Sequence, residues 1–202
     1  MTPPYQIIME RMANHEALMQ VVKQKKMMDS IVTGAKLMAG SLGRGGKIIA
    51  FGCGGSMTQA EHFVSELTGR YRESRRPLAA ICLNSPAHLT CVSNDFGFEE
   101  AFWRGVCAVG NPYIDTLFAL STSGNSQSVL NAVSIEPGQY HSSNAFKTVA
   151  LTGTQESLLG HLATVDISLK HIDHHYPFAD RIQEVHGFII HVLVQLIEDM
   201  LS

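Results

Sequence analysis

Four hydroxyl side chains crowd one short turn of the sequence, at Ser121, Thr122, Ser123 and Ser126. The turn follows an apolar run typical of a strand and precedes a helical stretch, which puts it at a helix N-terminus. Unpaired backbone N–H groups and the helix dipole favour an anion there. A serine-rich helix cap is the alternative, although four hydroxyls exceed what a cap requires. No lysine of a nucleotide-binding P-loop accompanies them, so the expected anion is a sugar phosphate.

A second turn contains the glycines Gly52, Gly54 and Gly55 and comes directly after the apolar run 47–51. It lacks the full spacing of a dinucleotide-binding fingerprint, and no acidic residue ends the next predicted strand. A nicotinamide cofactor is therefore not expected. Glycines in such a turn instead let the backbone approach a ligand closely.

His62 and Glu66 are four residues apart in the helix predicted after this turn, so they share one helical face. The pair has three interpretations: half of a metal site, a base beside its electrostatic partner, or an ordinary surface pair. The spacing alone does not choose among them.

The last predicted helix carries polar and titratable residues in an otherwise apolar segment. Gln183 and His191 lie about 80° apart around this helix and roughly 12 Å apart along it. A metal shared by both requires the two side chains to lean inward, or different subunits to contribute them. A histidine in an apolar helix, such as His186, is more often a core residue. Three further histidines before Pro177 are better explained by a solvated loop than by a metal site, and these are His171, His174 and His175.

The elements that must position these residues alternate along the chain. Two amphipathic helices are predicted within residues 4–42 from apolar residues at three- and four-residue intervals. Strands are then predicted at 47–51, 79–83, 115–120, 148–151 and 165–169, and helices at 57–69, 98–109, 127–134, 157–163 and 182–201. Strands separated by helices predict an α/β fold with a parallel sheet covered on both faces. Residues between 83 and 98 are predicted as a loop, and so are residues 135–147, to which we assign no chemistry.

The composition describes one globular domain and excludes several classes of partner. The 202 residues are 45% hydrophobic and 16% charged, and a chain of this length builds a core without disulfide or metal staples. Fifteen basic residues stand against eighteen acidic ones, for a net charge of −3. No basic footprint for nucleic acid or a membrane surface is present, so a small or neutral partner is expected.

Cysteine usage and hydropathy predict a cytoplasmic protein. The four cysteines form no CxxC pair, and we interpret them as reduced core thiols. The longest apolar stretch, residues 185–197, is too short and too polar to cross a bilayer. The first residues contain no apolar signal core.

Several motifs occur together in an order typical of one family. They are Gly52-Cys53-Gly54-Gly55-Ser56, Glu61-His62-Phe63, Glu66-Leu67-Thr68-Gly69-Arg70-Tyr71, Asn94-Asp95-Phe96-Gly97-Phe98, Ser121-Thr122-Ser123-Gly124-Asn125-Ser126 and Ala179-Asp180-Arg181-Ile182-Gln183-Glu184-Val185-His186. Over nearly its whole length the chain resembles the phosphoheptose isomerases of the sugar isomerase (SIS) superfamily. The resemblance implies a single SIS domain, with a five-stranded parallel sheet in a three-layer sandwich. Residues 1–42 would form N-terminal helices on the core and on neighbouring subunits, and residues 43–202 the SIS domain. It also implies a homotetramer with active sites at subunit interfaces.

The resemblance also implies roles for matching positions. Glu66 would be the catalytic base and His191 the catalytic acid. One zinc ion per subunit would be held by His62, Glu66, Gln183 and His191. The serine and threonine turn would hold the phosphate through Ser121, Thr122, Ser123 and Ser126. Further substrate contacts would come from Cys53, Gly54, Gly55, Ser56, Glu66, Asn94, Asp95 and Gln183.

The implied reaction converts sedoheptulose 7-phosphate into D-glycero-D-manno-heptose 7-phosphate through an enediol, as the first step of heptose precursor synthesis for lipopolysaccharide or other surface glycans. A carboxylate beside C1 can move the proton to C2, which suits Glu66. Two alternatives stay open: a SIS-fold regulator that binds the replication initiator protein, and an isomerase of another phosphosugar. The regulators generally lack the equivalents of Glu66 and His191. Three positions carry a different residue from the one usual in the family: Cys53 stands in place of asparagine, and Gln59 and Ser85 stand in place of aspartate. These differences bear on which phosphosugar is the substrate.

Overall fold

A five-stranded parallel sheet forms the centre of the fold. The computed structural model describes residues 3–134, 146–153, 156–170 and 178–202. The strands are β1 (Ile48–Gly52), β2 (Ala80–Cys82), β3 (Thr116–Ser121), β4 (Lys147–Thr152) and β5 (Val165–Ser168). Their order is β2-β1-β3-β4-β5, and all neighbours are parallel. The predicted α/β class and the five strands are confirmed.

Helices cover both faces of the sheet. They are α1 (Pro4–Val22), α2 (Lys25–Gly43), α3 (Gly55–Thr68), α4 (Pro86–Phe96), α5 (Ala101–Val109), α6 (Gln127–Val133), α7 (Leu158–Leu162) and α8 (Ala179–Leu201), and a 3-10 turn at Phe98–Glu100 precedes α5. One hydrophobic cluster joins α1, α2, α3 and α8 to the sheet, and a second joins α5, α6 and α7 to its other face. The fold is therefore a three-layer sandwich that includes the N-terminal helices.

Strand β1 illustrates why the sheet is central. Ile48 and Ala50 belong to the cluster on one face, whereas Ile49 and Phe51 belong to the cluster on the other. Alternate residues of a strand point to opposite faces, so a run of apolar residues can fill both layers. All five residues of β1 are buried, as expected for a parallel sheet covered on both sides.

One prediction about the elements was wrong. The connection between residues 83 and 98 contains helix α4 rather than a loop only. The Ser85 side chain caps it by accepting from the backbone N–H of His88, and Pro86 occupies the first turn, where a missing N–H costs nothing. The helix ends before Gly97, whose φ is 97°. Asn94 and Asp95 consequently lie on the last helical turn.

The cysteines are free thiols, but not all of them are core residues. Cys53, Cys82 and Cys107 are half-buried, and Cys91 is exposed on α4. The predicted core position is therefore wrong for Cys91, whereas Cys53 and Cys82 pack against the two core clusters. No helix within the described residues is both long and apolar enough to cross a membrane. The histidine cluster at 171–175 and nearly all of the predicted loop at 135–147 fall outside the described residues.

The strand order puts a ligand site at one particular edge. The chain leaves β1 for β2 on one side and reaches β3 on the other, so β1 and β3 flank the point where the order reverses. Ligands of open α/β sheets bind at the carboxyl ends of the strands at such a point. Gly52 pairs with Leu120 at the ends of these strands. The glycine turn and the serine turn thus leave the sheet side by side.

Candidate active site

Three of the predicted site residues converge where α3 packs against α8. The Nε2 atoms of His62 and His191 are 2.9 Å apart, and Glu66 Oε1 is 3.7 Å from His62 Nε2. One ligand atom from each of the three side chains can be chosen so that all lie within 4.8 Å of one another. Since residues 62 and 191 are far apart in sequence, only tertiary packing creates this cluster.

The donor set of the cluster fits a zinc ion. Two imidazole nitrogens and one carboxylate oxygen are ligands that Zn²⁺ accepts readily, and three protein ligands leave a position open for substrate or water. His62 and His191 are exposed, whereas Glu66 is half-buried. The cluster is thus open to solvent on one side and backed by the α3/α8 packing on the other.

Gln183 does not join this cluster within one chain. A Cβ atom added to Gly55 would lie 2.5 Å from Gln183 Nε2, so the Gln183 side chain rests against the first residue of α3. Gly55 precedes His62 by seven residues, about 10 Å along the helix. Gln59 Nε2 donates to the carbonyl oxygen of Gln183 at 2.7 Å and fixes this end of α8. Gln183 therefore belongs with the glycine turn.

The glycine turn offers exposed backbone at the end of β1. Gly54 has φ 56° and ψ −125°, a conformation that residues with a side chain rarely adopt. Gly54 and Gly55 are exposed, and Ser56 is buried beneath them. Cys53 Sγ lies 3.3 Å from Ser128 Oγ, which links this turn to α6.

The serine turn gathers three hydroxyl oxygens. Ser121 Oγ lies 3.5 Å from Ser123 Oγ and 3.4 Å from Ser126 Oγ, and it accepts from Gly124 N–H at 3.0 Å. Thr122 contributes a carbonyl oxygen that abuts Gly153, where an added Cβ would lie only 2.1 Å away. Helix α6 is only seven residues long, so hydroxyl donors rather than a helix dipole carry the anion-binding argument.

Asn94 and Asp95 lie on the last turn of α4. They are exposed on α4, where Asn94 Nδ2 donates to Asp95 Oδ1 at 2.8 Å and Cys91 Sγ lies 3.7 Å from Asp95 Oδ2. Among the described residues, neither side chain hydrogen-bonds to a turn or to the histidines. Their predicted contact with substrate stays a prediction.

Tyr71 is a site residue to which the sequence pattern gave no role. Its ring stacks on the His191 imidazole with centroids 5.8 Å apart and an interplanar angle of 27°. The His62 ring meets His191 edge-on, with centroids 5.1 Å apart. His191 is thus held between two rings. The only sequence signal was the position of Tyr71 within the motif that begins at Glu66.

His186 is a core histidine rather than a site residue. It is fully buried, and its Nε2 lies 3.1 Å from the carbonyl oxygen of Thr152. Burial lowers the pKa of His186 to about 4, which keeps the ring neutral near pH 7. It faces the sheet, whereas His191 on the same helix is exposed.

Known proteins resemble this chain in sequence and in structure. A SIS domain model matches residues 12–153. A phosphoheptose isomerase from Vibrio cholerae is 48% identical over 168 residues, which are 83% of this chain and 83% of that protein. Another from Glaesserella parasuis is 42% identical over 96% of this chain and 95% of its own length. The structure of a phosphoheptose isomerase from Francisella tularensis superimposes with a TM-score of 0.84 at 30% identity, covering 98% of this chain and all of that one.

Proposed function

This chain belongs to the phosphoheptose isomerase family of SIS-domain proteins, and on that premise we propose how its residues carry out the reaction. The enzyme interconverts sedoheptulose 7-phosphate and D-glycero-D-manno-heptose 7-phosphate. The observation that carries the mechanism is the convergence of one carboxylate and two imidazoles on a solvent-open face. The similarity to phosphoheptose isomerases also favours an isomerase over a SIS-fold regulator of the replication initiator protein.

Glu66 is the base in this proposal. It removes a proton from C1 of the ketose, which leaves an enediol, and returns the proton to C2 to give the aldose. The carboxylate is ionised for the first step and protonated for the second, so no other proton acceptor is needed on that face of the sugar. Its half-buried position on α3 restricts water around the transferred proton.

His191 is the acid that serves the sugar oxygens. As the C2 carbonyl accepts charge, a donor at its oxygen stabilises the enediol, and the O1 hydroxyl must lose its proton in the same conversion. The 2.9 Å contact between His62 Nε2 and His191 Nε2 requires one nitrogen to donate and the other to accept. The tautomers of His62 and His191 are therefore coupled through this contact.

We include one zinc ion per subunit in the proposal, which His62, Glu66 and His191 would hold in place of the direct contact between the two imidazoles. When bound, zinc supplies Lewis-acid polarisation of the substrate oxygens. Gln183 completes the predicted four-ligand set only if another subunit contributes it, because within one chain it lies beside Gly55. Otherwise Gln183 acts as a substrate contact, for which its amide is well suited.

The two turns at the β1/β3 switch point bind the rest of the substrate. Ser121, Thr122, Ser123 and Ser126 hold the phosphate, supported by the cluster of hydroxyl oxygens around Ser121. Sugar hydroxyls contact the exposed backbone of the glycine turn, for which Cys53, Gly54, Gly55 and Ser56 are the candidates. Asn94 and Asp95 are further candidates at the end of α4.

The enzyme acts as a homotetramer in the cytoplasm in this proposal. Helix α1 supports an interface, because large apolar side chains on it are exposed, among them Tyr5, Ile8, Met9 and Met12. The four free thiols support a reducing compartment. Light scattering during gel filtration tests the assembly: a tetramer is expected, and a stable monomer at micromolar concentration contradicts it.

Solvent deuterium tests the enediol route. In deuterium oxide, the proposed transfer puts deuterium at C2 of the aldose whenever Glu66 exchanges its proton with solvent during the lifetime of the enediol. Product collected after many turnovers should therefore contain deuterium at C2 by NMR. Product without any deuterium after prolonged incubation contradicts an enediol whose proton, held on Glu66, exchanges with solvent.

A further inference from the structure

The segment that follows α3 folds back onto the end of that helix. Arg75 Nη1 donates to the carbonyl oxygens of Leu67 at 2.8 Å and Gly69 at 3.0 Å, and Arg75 Nη2 donates to that of Glu66 at 2.7 Å. Carbonyls in the last turn of a helix lack partners within the helix, so they need donors from elsewhere. One guanidinium therefore fixes the helical turn that carries Glu66.

The same guanidinium is bound to α8. Arg75 Nε and Nη2 each lie 2.7 Å from Glu198 Oε1, and the two side chains are only 19% and 16% exposed. Glu198 follows His191 by seven residues, which is two helical turns, so both lie on the same face of α8. The ion pair thus ties the Glu66 end of α3 to the His191 face of α8.

Tyr71 connects this segment directly to His191. Its ring stacks on the imidazole, and the Arg72 guanidinium carbon lies 5.1 Å from the tyrosine centroid. The segment between α3 and β2 therefore contacts the cluster at both ends, through Arg75 beneath Glu66 and through Tyr71 against His191. We call the Arg75–Glu198 pair, with the carbonyls it binds, the brace.

We propose that Arg75 and Glu198 are positioning residues of the isomerase, because the brace sets the distance between Glu66 and His191. This inference rests on the proposed function, in which those two groups act on one substrate. Reacting groups misplaced by about 1 Å can cost about a hundredfold in rate, so a tie between their two helices matters for turnover. Lysine cannot replace Arg75, because an ammonium lacks the planar fork that reaches several carbonyls and a carboxylate at once.

A purely structural role is the competing explanation, and the chain offers a matched control. Lys47 Nζ and Asp115 Oδ2 form a similar ion pair at 2.6 Å, with Asp115 only 1% exposed. These residues precede β1 and β3, and within the described part of the chain the hydrogen bonds of Asp115 go to Lys47 and Asn111, not to α3 or α8. Asp115 also accepts backbone N–H groups, as at Asn111. Asp115→Asn should therefore lower stability without moving the cluster.

The test compares Glu198→Gln, Arg75→Lys and Asp115→Asn in the full-length protein. We expect kcat to fall about 10- to 100-fold in Glu198→Gln and in Arg75→Lys. This is the range seen when residues that orient the groups of a site, without touching the substrate, are replaced. KM for the phosphosugar should stay within about twofold, because the serine turn is untouched. Asp115→Asn should keep both constants while its melting temperature falls. Equal kcat values in Glu198→Gln and Asp115→Asn would overturn the proposal.

Two further readouts separate this inference from the proposed function. NMR signals of the His62 and His191 rings should shift in Glu198→Gln and stay in place in Asp115→Asn, whether or not the protein turns over sedoheptulose 7-phosphate. The His191 signals should also shift in Tyr71→Leu, which removes the stacked ring. If Arg75→Lys fails to fold, the kcat and the histidine signals of Glu198→Gln alone test the brace. Unchanged histidine signals in Glu198→Gln contradict the brace.

Discussion

The cluster of His62, Glu66 and His191 and the turns at the strand ends are assembled in different ways. His62, Glu66 and His191 depend on how two long helices pack, with contacts that span the chain. The hydroxyls of the serine turn meet through short-range hydrogen bonds within residues 121–126, and Gly124 and Asn125 also bind the start of α7. The proton-transfer groups are therefore brought together only by helix packing, whereas the phosphate-binding hydroxyls are already neighbours in the sequence. Substitutions in the cluster should therefore lower mainly kcat, and substitutions in the serine turn should raise mainly KM.

The largest expected effect is at Glu66. Glu66→Gln keeps the shape of the side chain but removes the proton acceptor, so kcat should fall about 100- to 10,000-fold, the usual contribution of a general base. KM should change little. Steady-state kinetics with sedoheptulose 7-phosphate measure both constants.

Glu61→Gln is the control, since it removes an exposed carboxylate from the same helix without touching the cluster. It should retain activity. A Glu66→Gln enzyme with undiminished kcat would remove this residue from the mechanism and leave the cluster as a structural feature.

The serine turn should produce the opposite pattern. Replacing Ser121 and Ser123 together by alanine removes two hydroxyls from the phosphate site, and KM should rise about 10- to 100-fold with a much smaller change in kcat, as expected for hydrogen bonds to a charged group. Inhibition by inorganic phosphate should weaken in parallel. Thr33→Ala, which removes an exposed hydroxyl on α2, should change neither constant. An unaltered KM in the double variant contradicts the phosphate site.

His186 lies on the buried face of α8, opposite the exposed His191, and should affect stability rather than turnover. Its pKa is lowered to about 4 in the folded protein, so between pH 6.5 and about 4 the unfolded chain binds the proton more strongly. The free energy of unfolding should therefore decrease as the pH is lowered through this window, by up to about 1.4 kcal/mol per unit. Above pH 6.5 this contribution is complete. Urea unfolding at several pH values measures the slope, which should be reduced in His186→Gln; an equal slope in that variant would exclude His186 as its source.

The smallest effect is expected at Gly54. Gly54→Ala and Gly45→Ala both force a side chain into a positive φ, 56° and 82° respectively, and each should cost about 1 to 3 kcal/mol of unfolding free energy. Only Gly54→Ala should also raise KM, because Gly54 alone lies in the turn beside the substrate. A KM that changes equally in both variants would show that the glycine turn has no specific contact with substrate.

The sequence was sufficient for most of the sheet but not for the whole site. Apolar runs such as 47–51 predict strands because both faces are buried. Helix α4 was missed because only Val92 is buried on it, so its apolar pattern is weak. The spacing of His62 and Glu66 reveals their shared face, but nothing local predicts that His191 meets them. Arg75 gave no signal, since its partners are backbone carbonyls and a carboxylate on a distant helix.

The most direct test of the account is turnover of sedoheptulose 7-phosphate by the purified protein, before chelation, after chelation and after added Zn²⁺. The account predicts formation of the aldose phosphate, loss of turnover on chelation and its recovery with zinc. Turnover unaffected by thorough chelation would contradict zinc at His62, Glu66 and His191 while leaving the isomerase intact. No turnover under any metal condition would contradict the isomerase function itself.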